Sequence, residues 1–342
     1  MNKQFRDKNL DRLRAVAMMW VLGIHTVYWN DLFSENGSVI RSFFLIEMPL
    51  MFFVTGASNM KSSITNYGEF VIKRLKRIII PYWVYALIVC IINVDKGVDY
   101  NGMLVDFFLF RGAGYGCTCW ALWFIPTYIQ IIILYPLIKK YFLYSKKMEF
   151  RVMPLLLSIL IVFALSFNNS FVEIRKVILY GGFTYLGCFY DDLQKYEKKY
   201  KKSIIIIMCI AVLLMIILYK NNIYGLNMQD NKGYVNLMFY LFAITSMCIF
   251  YIFWEKIYVL IEMLCKNKIL NNIFEIYSQY SYSIFLWHPL AFLLLPVIIQ
   301  YYNISFIYQQ CDVLRFIVTL VYLLLACTLL GKILGRIEDR CK

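Results

Sequence analysis

Charged residues are scarce in this sequence of 342 residues. Asp, Glu, Lys and Arg make up 16% of it, whereas about a quarter of a typical soluble domain is charged. Hydrophobic residues account for 61%, and the mean hydropathy is +0.62. The scarcity of charge argues against a chain built from separate soluble domains. It predicts one all-α domain over residues 1–342 that is embedded in a membrane.

Internal repeats, low-complexity tracts and long linkers are also absent from the sequence. The 10 cysteines lack the paired spacing of a zinc site, and we therefore predict no metal cofactor. Cys117 and Cys119 could pair with each other, or with other cysteines, if they are oxidised. Their spacing is a weak signal for a disulfide.

Apolar runs long enough to cross a bilayer recur along the chain. A membrane-spanning helix needs about 17–25 apolar residues, and we find ten such segments. They cover residues 13–30, 39–58, 78–94, 120–138, 152–168, 174–190, 203–219, 235–254, 277–299 and 313–331. The sequence thus predicts an all-α integral membrane protein with about ten transmembrane helices in one bundle.

Positive charge is concentrated on alternate loops of this topology. With a cytoplasmic N-terminus, all but eight of the 35 Lys and Arg residues fall on the cytoplasmic side, as the positive-inside rule requires. The exceptions are Arg41, Lys96, Arg111, Arg175, Lys176, Lys220, Lys232 and Arg315. Topology therefore explains the net charge of +14, and no nucleic acid is expected as a partner. Both termini are predicted to be cytoplasmic, and no cleavable signal peptide is evident.

The chain has only two histidines, and His25 lies inside the first predicted span. An ionisable group in a span is costly and is therefore a functional candidate. Arg14 lies eleven residues earlier, which is about three turns and about 16 Å of helix, so both side chains share one face. A neutral imidazole accepts protons near pH 7, which makes His25 a candidate base. The alternative is a packing histidine that is hydrogen-bonded to a neighbouring helix.

The segment Phe70–Trp83 carries a cluster of cations. Arg74 and Arg77 are three residues apart and Lys73 and Arg77 four apart, so they fall on one side of a helical turn. Pro81 leaves a helical carbonyl without its partner and predicts a kink. Such a cluster at a cytoplasmic mouth would bind phosphate or pyrophosphate. The alternative is an anchor that contacts anionic lipid headgroups.

Polar residues also enter the predicted span 277–299. Ser281 and Tyr282 precede the second histidine, His288, which stands before Pro289. A polar stripe of this kind lines a bundle interior or a wet cavity more readily than it faces lipid. Alternatively, these hydroxyls only form hydrogen bonds between helices.

Glu47 is a lone carboxylate in the middle of the second predicted span. A carboxylate in this position must be protonated or paired with another group. Arg41, His25 and Arg175 are candidate partners, and the sequence does not choose between them. We retain Glu47 as a candidate site residue.

Five motifs, taken in order, resemble those of the acyltransferase-3 family, multi-span bacterial enzymes that O-acylate envelope glycans and other acceptors. They read LDRLRAVAMMWVLGIH, MPLMFFVTGAS, FVIKRLKRIIIPYW, WALWFIPTYIQIIILYPLI and YSYSIFLWHPL. The first resembles the family signature of an Arg followed by ten residues and a His, filled here by Arg14 and His25. The third resembles its paired arginines before a Pro-aromatic step, filled by Arg74 and Arg77. The motif-bearing region covers residues from 10 to about 330.

The resemblance implies a multi-pass O-acyltransferase of the cell inner membrane. Its donor would be cytoplasmic acyl-CoA, with acetyl as the expected acyl group, and its acceptor a hydroxyl of a cell-envelope or exported glycan or a related molecule. Arg74 and Arg77, with Lys73, would hold the CoA phosphates. His25 would act as general base or as a transient acyl carrier, and Arg14 would bind a phosphate or the polar arm of the donor.

The remaining candidates follow from the same resemblance. His288 would orient His25 or the thioester. The candidate substrate contacts are Glu47, Trp123, Tyr128, Ser281 and Tyr282. The expected partners are acyl-CoA, the glycan acceptor and the lipid bilayer, and a homodimer stays open.

Two other classes of protein fit parts of the pattern. An ion-coupled transporter or flippase of an envelope precursor would also carry His, Arg and Glu within its spans. Such a carrier more often shows inverted repeats with paired broken helices, and the sequence has no such repeat. A structural partner in an envelope-assembly complex should tolerate the loss of His25.

Overall fold

The chain folds almost entirely into helices. A computed structural model describes residues 7–34, 38–62, 66–92, 100–112, 115–116, 118–145, 147–308 and 311–340, and no strand occurs in these ranges. The predicted all-α class is therefore confirmed. The helices are α1 (Lys8–Trp29), α2 (Ser38–Phe43), α3 (Glu47–Met60), α4 (Tyr67–Ile92), α5 (Tyr100–Phe108), α6 (Phe124–Ile138), α7 (Met148–Leu165), α8 (Val172–Gly187), α9 (Tyr190–Lys195), α10 (Glu197–Lys220), α11 (Met228–Tyr234), α12 (Leu237–Leu264), α13 (Lys268–Gln279), α14 (Ser281–Tyr301), α15 (Ser305–Tyr308) and α16 (Asp312–Arg340).

Seven helical segments within the described ranges are long and apolar enough to cross a membrane. They are Ile40–Met60, Tyr67–Ile92, Trp120–Leu143, Lys198–Lys220, Leu237–Leu264, Ser281–Tyr301 and Asp312–Arg340. The other three predicted spans coincide with α1, α7 and α8, which are helical but are not among the seven. The count of ten spans and the cytoplasmic position of both termini therefore stay predictions.

Helices α1 and α3 form the centre of the bundle. α1 packs against α3, α12, α13, α14 and α16, while α3 packs chiefly against α8. The contact between α3 and α8 brings two backbones together, because a side chain at Gly56 would collide with the Thr184 carbonyl and one at Gly187 with the Phe53 carbonyl. Small residues permit this close approach between membrane helices.

The directions of the helices define two ends of the bundle. α1, α4 and α14 begin at the end that holds Arg14, Arg74 and Ser281, and α3 runs back towards it. We call this the mouth end. The opposite end, where α1 finishes at Trp29 and α3 begins at Glu47, is the far end.

Lys61 ties three elements together at the mouth end. It follows α3 and forms ion pairs with Asp7, the N-cap residue of α1, and with Asp191 of α9, whose Oδ1 lies 3.0 Å from its Nζ. Burial by itself would lower the pKa of Lys61, but the hydrogen bonds to both aspartates outweigh burial and raise this pKa. Lys61 therefore stays charged and holds α1 and α9 to the end of α3.

Candidate functional site

A cavity of about 420 Å³ opens at the mouth end of the bundle. Its walls come from α1, α3, α4, α6, α13 and α14, so residues from distant parts of the chain meet there. Six of the residues predicted from sequence line it, namely Arg14, Arg74, Arg77, Tyr128, Ser281 and Tyr282. The cationic segment of α4 and the polar start of α14 therefore face the same space.

The three arginines of the cavity differ in how their charge is balanced. Arg14 donates to Asp11 Oδ1 at 2.9 Å and to Ser58 Oγ at 2.7 Å. Arg74 lies over the ring of Phe70, with its Cζ 5.5 Å from the ring centroid. No ion pair joins Arg74 to a carboxylate in the described part of the chain, so its charge is the one most available to a bound anion.

Arg77 is bound within the protein by a buried carboxylate. Its Nε donates to Glu338 Oε1 at 2.9 Å, and Ser283 donates to the other oxygen of Glu338 at 3.0 Å. Glu338 is completely buried, whereas about a third of the Arg77 side chain is exposed. The C-terminal helix α16 thus supplies the counter-charge for one of the two predicted phosphate-binding arginines.

Lys73 lies outside this cavity. It is exposed on α4 and is not among the lining residues, although the helical spacing predicted that it would join Arg74 and Arg77. Successive residues of a helix are about 100° apart, so Lys73 points away when Arg74 points in. Pro81 lies inside α4, which continues through it as one helix, and the kink expected there stays a prediction.

The cavity reaches deep into the bundle. On α3 its lining runs from Ser58 and Asn59 down to Met48, which is about 15 Å of helix. At its inner limit, the rings of Phe124 and Phe285 meet edge to face with centroids 4.5 Å apart. An apolar floor therefore lies at the inner end of a cavity whose entrance is cationic.

The two histidines meet directly below this floor. His288 Nε2 lies 2.7 Å from His25 Nδ1, and His288 Nδ1 lies 2.6 Å from the carbonyl oxygen of Phe285. The imidazole of His25 also stacks on Trp29, with centroids 4.4 Å apart. Phe285 is the residue that links the two regions, because its ring lines the cavity while its carbonyl holds His288.

The hydrogen bonds fix the tautomers of the neutral pair. A carbonyl oxygen only accepts, so His288 must carry its proton on Nδ1 and present Nε2 as an acceptor. His25 must then donate from Nδ1, which leaves its Nε2 unprotonated. A histidine with an oriented, unprotonated nitrogen is equipped to accept a proton from a hydroxyl group.

Glu47 and Trp123 lie at the far end rather than in the cavity. The carboxylate of Glu47, 3% exposed, is paired with Lys232 of α11. None of the three candidate partners suggested by sequence, which were Arg41, His25 and Arg175, forms this pair. Lys232 also lies over the ring of Trp123 at 6.0 Å.

Other residues of the candidate site escaped the sequence reasoning. In the sequence, Glu338 stands in a polar C-terminal stretch of the kind that faces solvent, and Lys232 stands in a short polar stretch between two apolar runs. Nothing in the sequence marks Phe285 as a site residue except its position three residues before His288. Cys117 lies outside the described residues, so a disulfide with Cys119, which is buried, stays a prediction.

Comparison with known proteins identifies the family of this chain. A family model described as an acyltransferase domain, that of acyltransferase-3, matches residues 7–332, a range that includes all five motifs quoted above. No curated protein and no solved structure matches the chain significantly. The chain therefore belongs to the acyltransferase-3 family.

Proposed function

We propose that this protein is a membrane-bound O-acyltransferase that moves an acyl group, acetyl in the first instance, from cytoplasmic acyl-CoA to a hydroxyl of a cell-envelope or exported glycan. Family membership supports an acyltransferase of the membrane type. The observation that carries the finer proposal is the oriented pair of His25 and His288 at the base of a cationic cavity. The apolar helices of the chain favour a multi-pass protein of the inner membrane, with acyl-CoA entering from the cytoplasm.

The cavity suits the shape of an acyl-CoA. Its entrance offers Arg74, whose charge no carboxylate balances in the described part of the chain, and Arg14, which donates to Ser58. Arginines of this kind bind phosphate through paired hydrogen bonds. The acyl-pantetheine arm is about 15–20 Å long, close to the depth of the cavity. The thioester would then lie against Phe124 and Phe285.

The hydrogen bonds of the histidine pair support a proton path for the transfer. His25 Nε2 accepts the proton of the acceptor hydroxyl as its oxygen attacks the thioester carbonyl. The carbon–sulfur bond breaks, the acyl group stays on the acceptor as an ester, and the proton passes from His25 to the departing thiolate. His288 holds the imidazole of His25 in the required tautomer. In the alternative order, His25 Nε2 attacks the thioester carbonyl and the carbon–sulfur bond breaks, so CoA leaves as its thiolate. The acceptor hydroxyl then attacks the acyl-imidazole, its proton passes to that thiolate, and the carbon–nitrogen bond breaks to free His25.

The far end offers contacts to a glycan. Trp123 is partly exposed and carries the cations Lys176 and Lys232 over its ring at 5.6 and 6.0 Å. The paired Glu47 and Lys232 supply further polar groups. The acceptor hydroxyl would approach His25 from this side, while the donor approaches from the mouth end. Tyr128, Ser281 and Tyr282 would contact the donor instead, because they line the cavity.

The test is consumption of labelled acetyl-CoA by purified protein with extracted envelope glycan as acceptor. We expect His25→Ala to lower turnover by about 10²–10⁴-fold, the usual contribution of a general base. Lys76→Ala is the control, because this exposed lysine of α4 lies outside the cavity. Equal turnover in wild type and His25→Ala would contradict the assigned role of His25. A wild-type protein that shows no calorimetric binding of acetyl-CoA would favour a transporter.

A further inference from the structure

A charged side chain is buried away from the cavity and has no hydrogen-bond partner among the described residues. The side chain of Arg175, in the first turn of α8, is fully buried, and none of its three guanidinium nitrogens has a hydrogen-bond partner in the described part of the chain. A buried charge without a partner is costly. Arginine cannot relieve this cost by losing its proton, because its pKa is too high.

A second unsatisfied polar group belongs to a segment that meets the start of α8. The hydroxyl of Tyr224 is also buried without a hydrogen-bond partner in the described ranges. Lys176, next to Arg175 on α8, and Lys232, which follows Tyr224 in the chain, lie over the same Trp123 ring at 5.6 and 6.0 Å. Tyr224 belongs to the loop between α10 and α11. The other residues of this loop, from 221 to 227, are exposed. One inward-pointing tyrosine and one buried arginine therefore come together from separate elements.

Tyr224 belongs to the segment 222–235, which we call the cap. Asn222 and Val235 bound it in the left-handed region, with φ of 54° and 49°, and such a conformation strains a β-branched residue. Within the cap, Asn231 Nδ2 donates to the Gly225 carbonyl at 2.8 Å. The same segment carries Lys232 to Glu47. The cap is thus held by a hydrogen bond within itself and by the ion pair between Lys232 and Glu47.

We propose that Arg175 and Tyr224 form an anion-binding site beneath the cap, which takes the carboxylate or phosphate group of an acidic acceptor. This rests on the proposed function and names the class of its acceptor. A guanidinium presents parallel N–H donors that match either anion, and a phenol adds a third donor. The site lies at the far end, where the acceptor would approach His25. The anion enters when the cap lifts at its strained boundary.

A binding test does not require turnover. We expect acetate or inorganic phosphate, compared with chloride at equal ionic strength, to raise the melting temperature of the detergent-purified wild type by ~3 °C at saturating concentration. The anion that acts at the lower concentration distinguishes a carboxylate site from a phosphate site. Arg175→Met should abolish this rise. In the absence of either anion it should melt no lower than wild type, because an apolar residue replaces an unpaired buried charge.

Lys202→Met is the charge-matched control, since it removes an exposed cation at the start of α10, away from the far end, and should keep the rise. Should Arg175→Met fail to fold, Tyr224→Phe removes only a hydroxyl and should weaken the response. A wild type that responds to neither anion, or an equal response in wild type, Arg175→Met and Tyr224→Phe, would overturn the site.

A turnover test links the site to the acceptor. Methyl glucuronide carries a carboxylate at C6 where methyl glucuronamide carries a neutral amide, and both offer the same ring hydroxyls. With acetyl-CoA as donor, the wild type should favour the glucuronide by about tenfold in kcat/KM, the usual effect of a charged hydrogen bond. In Arg175→Met this ratio should fall to about one. A ratio that is unchanged in Arg175→Met would overturn the acceptor assignment. If no acetyl transfer occurs while anions still stabilise the wild type, the proposed function fails but the site stands.

Discussion

His25 Nδ1 and His288 Nε2 lie 2.7 Å apart, so the only two histidines of the chain share one hydrogen bond. The bond joins α1 to α14, two helices that are separated by most of the sequence. Because His288 is itself held by the carbonyl of Phe285, the chain of contacts ends on a fixed backbone group. The position and tautomer of His25 are therefore set by α14 rather than by α1 alone.

The first prediction concerns His288 as a positioning residue. His288→Ala should lower kcat for acetyl transfer by about 10²–10⁴-fold, because His25 loses the acceptor that fixes its tautomer. The KM for acetyl-CoA should change little, since His288 does not line the cavity. Steady-state kinetics with acetyl-CoA measure both quantities.

His288→Gln provides the comparison for this prediction. A glutamine amide oxygen accepts a hydrogen bond from His25 Nδ1, so this variant should recover part of the kcat that His288→Ala loses. If both variants lose kcat equally while the melting temperature also falls in both, His288 only stabilises the fold. If neither variant loses kcat, the histidine pair has no role in turnover.

Local periodicity was enough to predict part of this site. The spacing of Arg14 and His25 placed both on one face of α1, and the polar start of α14 was expected to line an interior. These predictions depend only on helix geometry, which the sequence encodes over a few turns. The bundle then brought Arg74, Ser281 and Tyr282 to one cavity.

Partners from distant helices were not predictable in the same way. Glu47 pairs with Lys232 and Arg77 with Glu338, and each pair is separated by well over a hundred residues. Which helices become neighbours depends on the order of the bundle, and a periodicity within one helix does not contain that information. The error at Lys73 is smaller, because a single step of about 100° decides whether a side chain enters the cavity.

The second prediction separates the two arginines of α4. Arg74→Ala should weaken acetyl-CoA binding by about tenfold or more, because its charge is free to meet a phosphate. Arg77→Ala should weaken binding less, because Glu338 already balances that charge. Isothermal titration calorimetry with acetyl-CoA measures both, and Lys76→Ala is the charge-matched control. If all three variants bind acetyl-CoA with the affinity of the wild type, both arginines act only as membrane anchors.

The third prediction concerns the stability contributed by Arg77 and Glu338. Arg77→Met leaves the buried carboxylate of Glu338 without its cation and should cost about 1–3 kcal/mol of unfolding free energy. Glu338→Met should cost less, because the partly exposed Arg77 then reaches the solvent of the cavity. The double variant should be more stable than Arg77→Met. Denaturant titration in detergent gives the three values, and additive costs would show that the two residues do not interact.

The fourth prediction tests the backbone contact between α3 and α8. Gly187→Ala places a methyl group against the Phe53 carbonyl, and neither helix backbone can yield without separating the pair, so the melting temperature should fall. Gly181→Ala is the matched control on the same helix, since its new methyl group meets only the Ile131 side chain at 3.9 Å. That variant should be neutral or gain up to about 1 kcal/mol, because alanine favours a helix over glycine. Similar melting temperatures for both variants would mean that α3 and α8 do not touch as closely as Gly56 and Gly187 allow.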